Sequence, residues 1–119
     1  MARSILLVDD NDDIREAMAL VLEDAGYEVT AATGGDEAFE LLRGGYRPCV
    51  ILLDLMMPGL SGWDLHRELR SDATWCSIPI VVVSAVAAEA AAALQPTAHL
   101  QKPFTIDDLM GAVARACPT

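Results

Sequence analysis

A chain of 119 residues, 53% hydrophobic but only 5% aromatic, has material for one domain around a small core and not for two. The formal net charge of −10 speaks against direct nucleic-acid binding, which needs clustered Lys and Arg, and against an anionic membrane surface. No segment is both long and apolar enough to span a bilayer: residues 80–94 are alanine-rich and interrupted by Ser84 and Glu89, and the opening apolar run leads straight into acids.

Short runs rich in leucine or β-branched residues alternate with segments of helical spacing. The first strand, residues 4–9, ends on Asp9 and Asp10. After it Ile14, Met18, Val21, Leu22 and Ala25 share one helical face, with Gly26 placed to stop the helix. Residues 27–32 form a more polar strand suited to a sheet edge. Ala38, Leu41 and Leu42 mark a second helix, closed by Gly44 and Gly45. The third strand, 50–54, ends on Asp54 and runs into Leu-Met-Met-Pro-Gly. Leu65 and Leu69 anchor a third helix after Gly62, and the fourth strand, 80–84, ends on Ser84.

Residues 85–97 then carry the crossover to a fifth strand at 98–101, which is followed by Lys102. A parallel crossover takes roughly a dozen residues, so the fourth helix is expected to be short. It is nearly all alanine from 87 to 93 and should be the least stable helix. Thr105 and Asp108 have the spacing of a capping box, opening a last helix with Ile106, Leu109, Met110 and Val113.

This alternation predicts a parallel sheet with helices on both faces. In such sheets ligands bind outside the carboxyl ends of the strands. Asp9, Asp10, Asp54, Ser84 and Lys102 all stand at those ends. A phosphate-cradling turn would be glycine-rich, whereas the turn here is Asp-Asp-Asn-Asp-Asp and repels phosphate. It suits a hard cation with oxygen ligands, Mg²⁺ above all. Two carboxylates about 5 Å apart repel by roughly 3 kcal/mol at an effective dielectric of about 20. A divalent ion and the Lys102 ammonium together cancel most of that. A carboxylate nucleophile beside a metal, a lysine and a hydroxyl are the parts phosphoryl transfer requires.

Blander readings stand beside these. Asp54 could cap the turn after its strand, and Asp9 or Asp10 could cap the first helix, as Asn11 or Asp12 could equally. Asp12 and Asp13 fit that helix's first turn. Thr33 and His66 read as solvent-facing or capping, and Trp63 and Trp75 as partly exposed packing groups. Cys49, Cys76 and Cys117, odd in number and without CxxC spacing, read as reduced thiols of a cytosolic protein.

Taken in order, Ile-Leu-Leu-Val-Asp9-Asp10, Leu53-Asp54-Leu-Met56-Met-Pro58-Gly59-Leu-Ser-Gly62, Val83-Ser84-Ala85 and Lys102-Pro103-Phe104 resemble the receiver domains of bacterial two-component response regulators, the chemotaxis regulator included. The likeness runs nearly end to end, with residues 1–119 as one receiver domain. It implies a flavodoxin-like, doubly wound α/β fold with five strands in the order 2-1-3-4-5. It also implies that Asp54 accepts the phosphoryl group. Asp10, Asp9 partly through water, Asp54 and the Met56 carbonyl would hold Mg²⁺. Ser84 and Lys102 would each contact a phosphoryl oxygen, and the bond before Pro103 would be cis.

The donor implied is a sensor histidine kinase or a histidine phosphotransfer protein, and the output an unidentified protein contact in the cytoplasm. Such a receiver is not an enzyme acting on outside substrates, though it catalyses its own phosphorylation and dephosphorylation. His99 departs from the pattern, since the family usually carries Tyr or Phe there as part of the switch with Ser84's position. The expectation is an altered output face around residues 87–94, His99 and the last helix. Two rivals differ in chemistry. A pseudo-receiver would bind partners without phosphorylation. A phosphatase of the haloacid-dehalogenase kind would need Asp-x-Asp where Met56 stands, and a cap over its substrate.

Overall fold

The computed structural model describes residues 3–55, 61–84 and 98–117. Strands β1 (Ser4–Val8), β2 (Glu28–Ala32), β3 (Val50–Asp54), β4 (Ile80–Ser84) and β5 (Ala98–Gln101) form one sheet in the order β2-β1-β3-β4-β5. Every neighbouring pair is parallel. The described helices are α1 (Asp12–Asp24), α2 (Gly35–Arg43), α3 (Gly62–Arg70) and a C-terminal helix, Ile106–Ala116. The parallel sheet with helices on both faces is the one expected from the alternating pattern, and its doubly wound, flavodoxin-like strand order is the one the resemblance to receiver domains implies. The short helix expected within 85–97 lies outside the described residues, as does Met56.

Because strand side chains alternate, the sheet feeds two cores. On one face Leu6, Val8, Ile51, Leu53, Ile80 and Val82 pack with Ala38 and Leu42 of α2 and Leu65 and Leu69 of α3. On the other, Ile5, Leu7, Leu52, Val81 and Val83 meet Met18 and Leu22 of α1 and Leu109 and Val113 of the C-terminal helix. β1, β3 and β4 are buried nearly throughout, whereas β2 is largely accessible and lies at an edge.

Local signals set the helix ends. The Asn11 side chain accepts the Ile14 amide at 3.0 Å and starts α1. Gly26, at φ +99°, turns the chain out of it in a conformation that costs glycine little. Thr105 and Asp108 form the expected capping box. At Gly62 a side chain would overlap the Asp54 carbonyl oxygen, so only glycine lets α3 start this close to the end of β3.

Three expectations are corrected. Cys49 and Cys117 are joined in a disulfide, with Cα atoms 5.6 Å apart. They are 68 residues apart in sequence, and the fold alone brings the chain before β3 next to the end of the C-terminal helix. Cys76 is free and exposed. His66 is buried in α3 rather than solvent-facing, because it flanks the Leu65–Leu69 stripe that packs on the sheet. Ile106, placed on the apolar stripe of its helix, is 60% exposed. Trp63 and Trp75 are half-buried against the core, as expected. No helix among the described residues is long and apolar enough to cross a membrane.

Candidate functional site

The sheet register assembles the site. Val8 lies beside Leu53, Asp54 beside Val83, and Ser84 beside Gln101. Asp9, Asp54, Ser84 and Lys102 therefore sit along one edge, each just at or past the carboxyl end of its strand.

Asp9 is almost fully buried and held at every polar group. Its amide donates to the Ala32 carbonyl at 3.2 Å. Its Oδ1 accepts the Asn11 amide at 2.9 Å, and its Oδ2 lies 3.4 Å from Lys102 Nζ. Its carbonyl accepts from Arg15 Nη1 at 2.9 Å. Asp54, also buried, has Oδ2 3.8 Å from the same Lys102 Nζ. Asp10 is exposed. One oxygen from each of Asp9, Asp10 and Asp54 lies within 4.8 Å of the others. At that separation each pair of charges repels by about 3.5 kcal/mol at an effective dielectric of about 20. Lys102 offsets this at Asp9 and Asp54 but makes no ion pair with Asp10 among the described residues.

Lys102 is itself placed by the sheet, since its amide donates to the Ser84 carbonyl at 2.8 Å. The Lys102–Pro103 bond is cis. Ser84 is fully buried at the end of β4. His99 is half-buried on β5, and its Nε2 has no hydrogen-bond partner among the described residues. It lines a cavity of about 320 Å³ with Phe104, Asp107, Asp108 and Arg115 of the loop and helix that follow. His66 lies apart from these groups on α3. Burial pushes its pKa below the ordinary histidine value, and the Arg70 guanidinium pushes it the same way. Sequence reasoning assigned Arg15 no role; its signals were the three-residue spacing from Asp12 and a place on the inward stripe with Met18 and Leu22.

The model of the response regulator receiver domain matches residues 5–114. The phosphate regulon transcriptional regulatory protein PhoB of Pseudomonas aeruginosa is 41% identical over 85 residues, which cover 71% of this chain and 37% of that protein. The response regulator MprA of Mycobacterium sp. (strain KMS) is 39% identical over 110 residues, 89% of this chain and 46% of MprA. The chain thus spans less than half the length of these curated relatives. The chemotaxis protein CheY4 of Vibrio cholerae superposes with a TM-score of 0.88 at 30% identity, covering 98% of this chain and 99% of that one. A putative response regulator of Chloroflexus aurantiacus reaches 0.91 at 28% identity, over the whole of both chains.

The fold and the acidic strand-end site define a flavodoxin-like signalling module. The chain belongs to the response regulator receiver domain family of two-component systems.

Proposed function

We propose that this receiver accepts a phosphoryl group on Asp54, from a phosphohistidine of a sensor kinase or a phosphotransfer protein, in a Mg²⁺-dependent reaction. The observation that carries the reading is the convergence of Asp9, Asp10 and Asp54 within 4.8 Å, with Lys102 beside two of them. An all-oxygen donor set, anionic and open to solvent at Asp10, fits a hard divalent cation. Asp10, Asp54 and, partly through water, Asp9 would hold it, with the Met56 carbonyl added by family resemblance. Bound there, Mg²⁺ supplies positive charge for the oxygens of the phosphoryl group being transferred.

Asp54 provides the nucleophilic oxygen. As its bond to phosphorus forms, the bond from phosphorus to the donor imidazole nitrogen breaks; that nitrogen keeps the bonding pair, and the imidazole leaves neutral with its one proton on the other ring nitrogen. Lys102 pairs with a phosphoryl oxygen, and the Ser84 hydroxyl donates to another. The new charge at Asp54 shifts the chain between two conformations. The shift is read by a protein partner at the face that holds His99 and the C-terminal helix. The chain is not an enzyme for outside substrates: water attacking the acyl phosphate resets it. A cytoplasmic location is what the likeness to kinase-coupled receivers supports, the reduced-thiol argument for it having fallen with the Cys49–Cys117 disulfide.

Intact-mass spectrometry after incubation with acetyl phosphate and Mg²⁺ tests the reading. Wild type gains one phosphoryl group and Asp54→Asn gains none. Equal gain in both proteins, or none in wild type, overturns it; the latter is the behaviour of a phosphorylation-independent binding module.

A further inference from the structure

Arg15 is a cation on the inward stripe of α1, three residues before Met18 and seven before Leu22, the buried residues of that helix. Its neighbours Asp12, Asp13 and Glu16 are exposed, yet the Arg15 side chain is only 13% exposed. The guanidinium folds back toward the end of β1. There Nη1 donates to the Asp9 carbonyl and Nη2 pairs with Asp12. Asp12 is 76% exposed, and ion pairs with so exposed a partner contribute little. The hydrogen bond to Asp9 is what holds the cation under the loop.

That carbonyl belongs to the peptide plane joining Asp9 to Asp10, and the plane is rigid. Fixing its oxygen fixes the plane on one side of the Asp10 Cα, and the Asn11 amide, donating to Asp9 Oδ1, fixes the plane on the other; the two together set the direction in which the Asp10 side chain leaves the backbone. Asp9 needs no such help, because its carboxylate is already held by the Asn11 amide and Lys102. The Asp10 carboxylate has no hydrogen bond or ion pair among the described residues. The two planes that flank it are therefore its restraints, and Arg15 holds the one before it.

From this geometry we infer that Arg15 is a positioning residue: through the Asp9 carbonyl it aims Asp10 at the divalent cation. The inference rests on the reading of the acid cluster as a Mg²⁺ site. Two effects of Arg15 oppose each other, and they differ in sign. As a bare positive charge near the site, Arg15 would weaken cation binding, and its removal would tighten it. As the group that orients Asp10, its removal weakens binding. Loss of an outer partner of a ligand typically lowers metal affinity about 10-fold or more, and orientation is the stronger effect here.

Calorimetric Mg²⁺ titration and amide exchange of metal-free protein decide between them, on wild type, Arg15→Met, Arg15→Lys and Asp12→Asn. Arg15→Met should bind Mg²⁺ about 10-fold more weakly and exchange faster at residues 10–12 in EDTA. Arg15→Lys, which keeps one donor and the charge, should fall between it and wild type; this variant decides should Arg15→Met fail to fold. Asp12→Asn keeps the bond to Asp9 and should change affinity far less than Arg15→Met. Unchanged or tighter binding by Arg15→Met, or by Arg15→Lys in its place, with wild type binding normally, overturns the positioning role alone. Failure of wild type to bind Mg²⁺ overturns the site reading and the positioning role together.

Discussion

Without a cation, the acid cluster should destabilise the fold, and Asp10 is the place to measure this. Its carboxylate approaches those of Asp9 and Asp54 to within 4.8 Å, and it lacks the Lys102 partner that those two share. At water's dielectric each repulsion is about 0.9 kcal/mol, and at an effective dielectric of about 20 it is about 3.5 kcal/mol. Asp10 is exposed, so the screened end of that range applies. Asp10→Asn should therefore stabilise the metal-free protein by about 1–2 kcal/mol. Urea denaturation in EDTA measures this from the midpoint at constant slope. Added Mg²⁺ should then stabilise wild type, because a ligand of the native state raises stability by mass action. It should do much less for the variant. An Asp10→Asn protein that is equally or less stable in EDTA would refute the electrostatic reasoning.

The disulfide and His66 make separate predictions. The Cys49–Cys117 bond closes a long loop of 68 residues in sequence separation, for which chain entropy gives about 4 kcal/mol. Reduction, or the double change Cys49→Ser with Cys117→Ser, should lower the melting temperature by roughly 15 °C. Cys76→Ser should leave it unchanged; a reductant-insensitive melt would contradict the bond. At His66 the folded state holds the pKa below the ordinary 6.5, so the unfolded chain binds the extra proton first. Stability from the neutral imidazole is complete above pH 6.5 and is lost as pH falls toward the folded value. Urea midpoints at acid and neutral pH should show a larger acid loss for wild type than for His66→Leu, and equal losses would sink this account.

The strands were legible because a parallel sheet buried on both faces writes near-continuous apolar runs. The acids were legible because a charge at the end of such a run is costly unless it faces a site. Asp54 after residues 50–53 is the clearest case. What stayed hidden depends on distance in space rather than on local pattern. Nothing around Cys49 announces Cys117, and the odd cysteine count pointed the other way. His66 looked polar and hence exposed, yet it sits next to Leu65, on the buried side of α3. Ile106 shows the reverse error: an apolar residue at the first helical position faces outward, because the buried stripe begins at Leu109. Arg15 escaped notice because its partner is a backbone carbonyl, which no residue pattern reveals.

The central claim is that Asp54 is the group chemically changed. Borohydride reduces an aspartyl phosphate to homoserine, so treating the acetyl-phosphate-loaded protein and mapping its peptides identifies the acceptor directly. The account predicts homoserine at position 54, dependent on Mg²⁺ and absent when EDTA is present. Homoserine at Asp9 or Asp10 instead, or at no acidic residue, would contradict it.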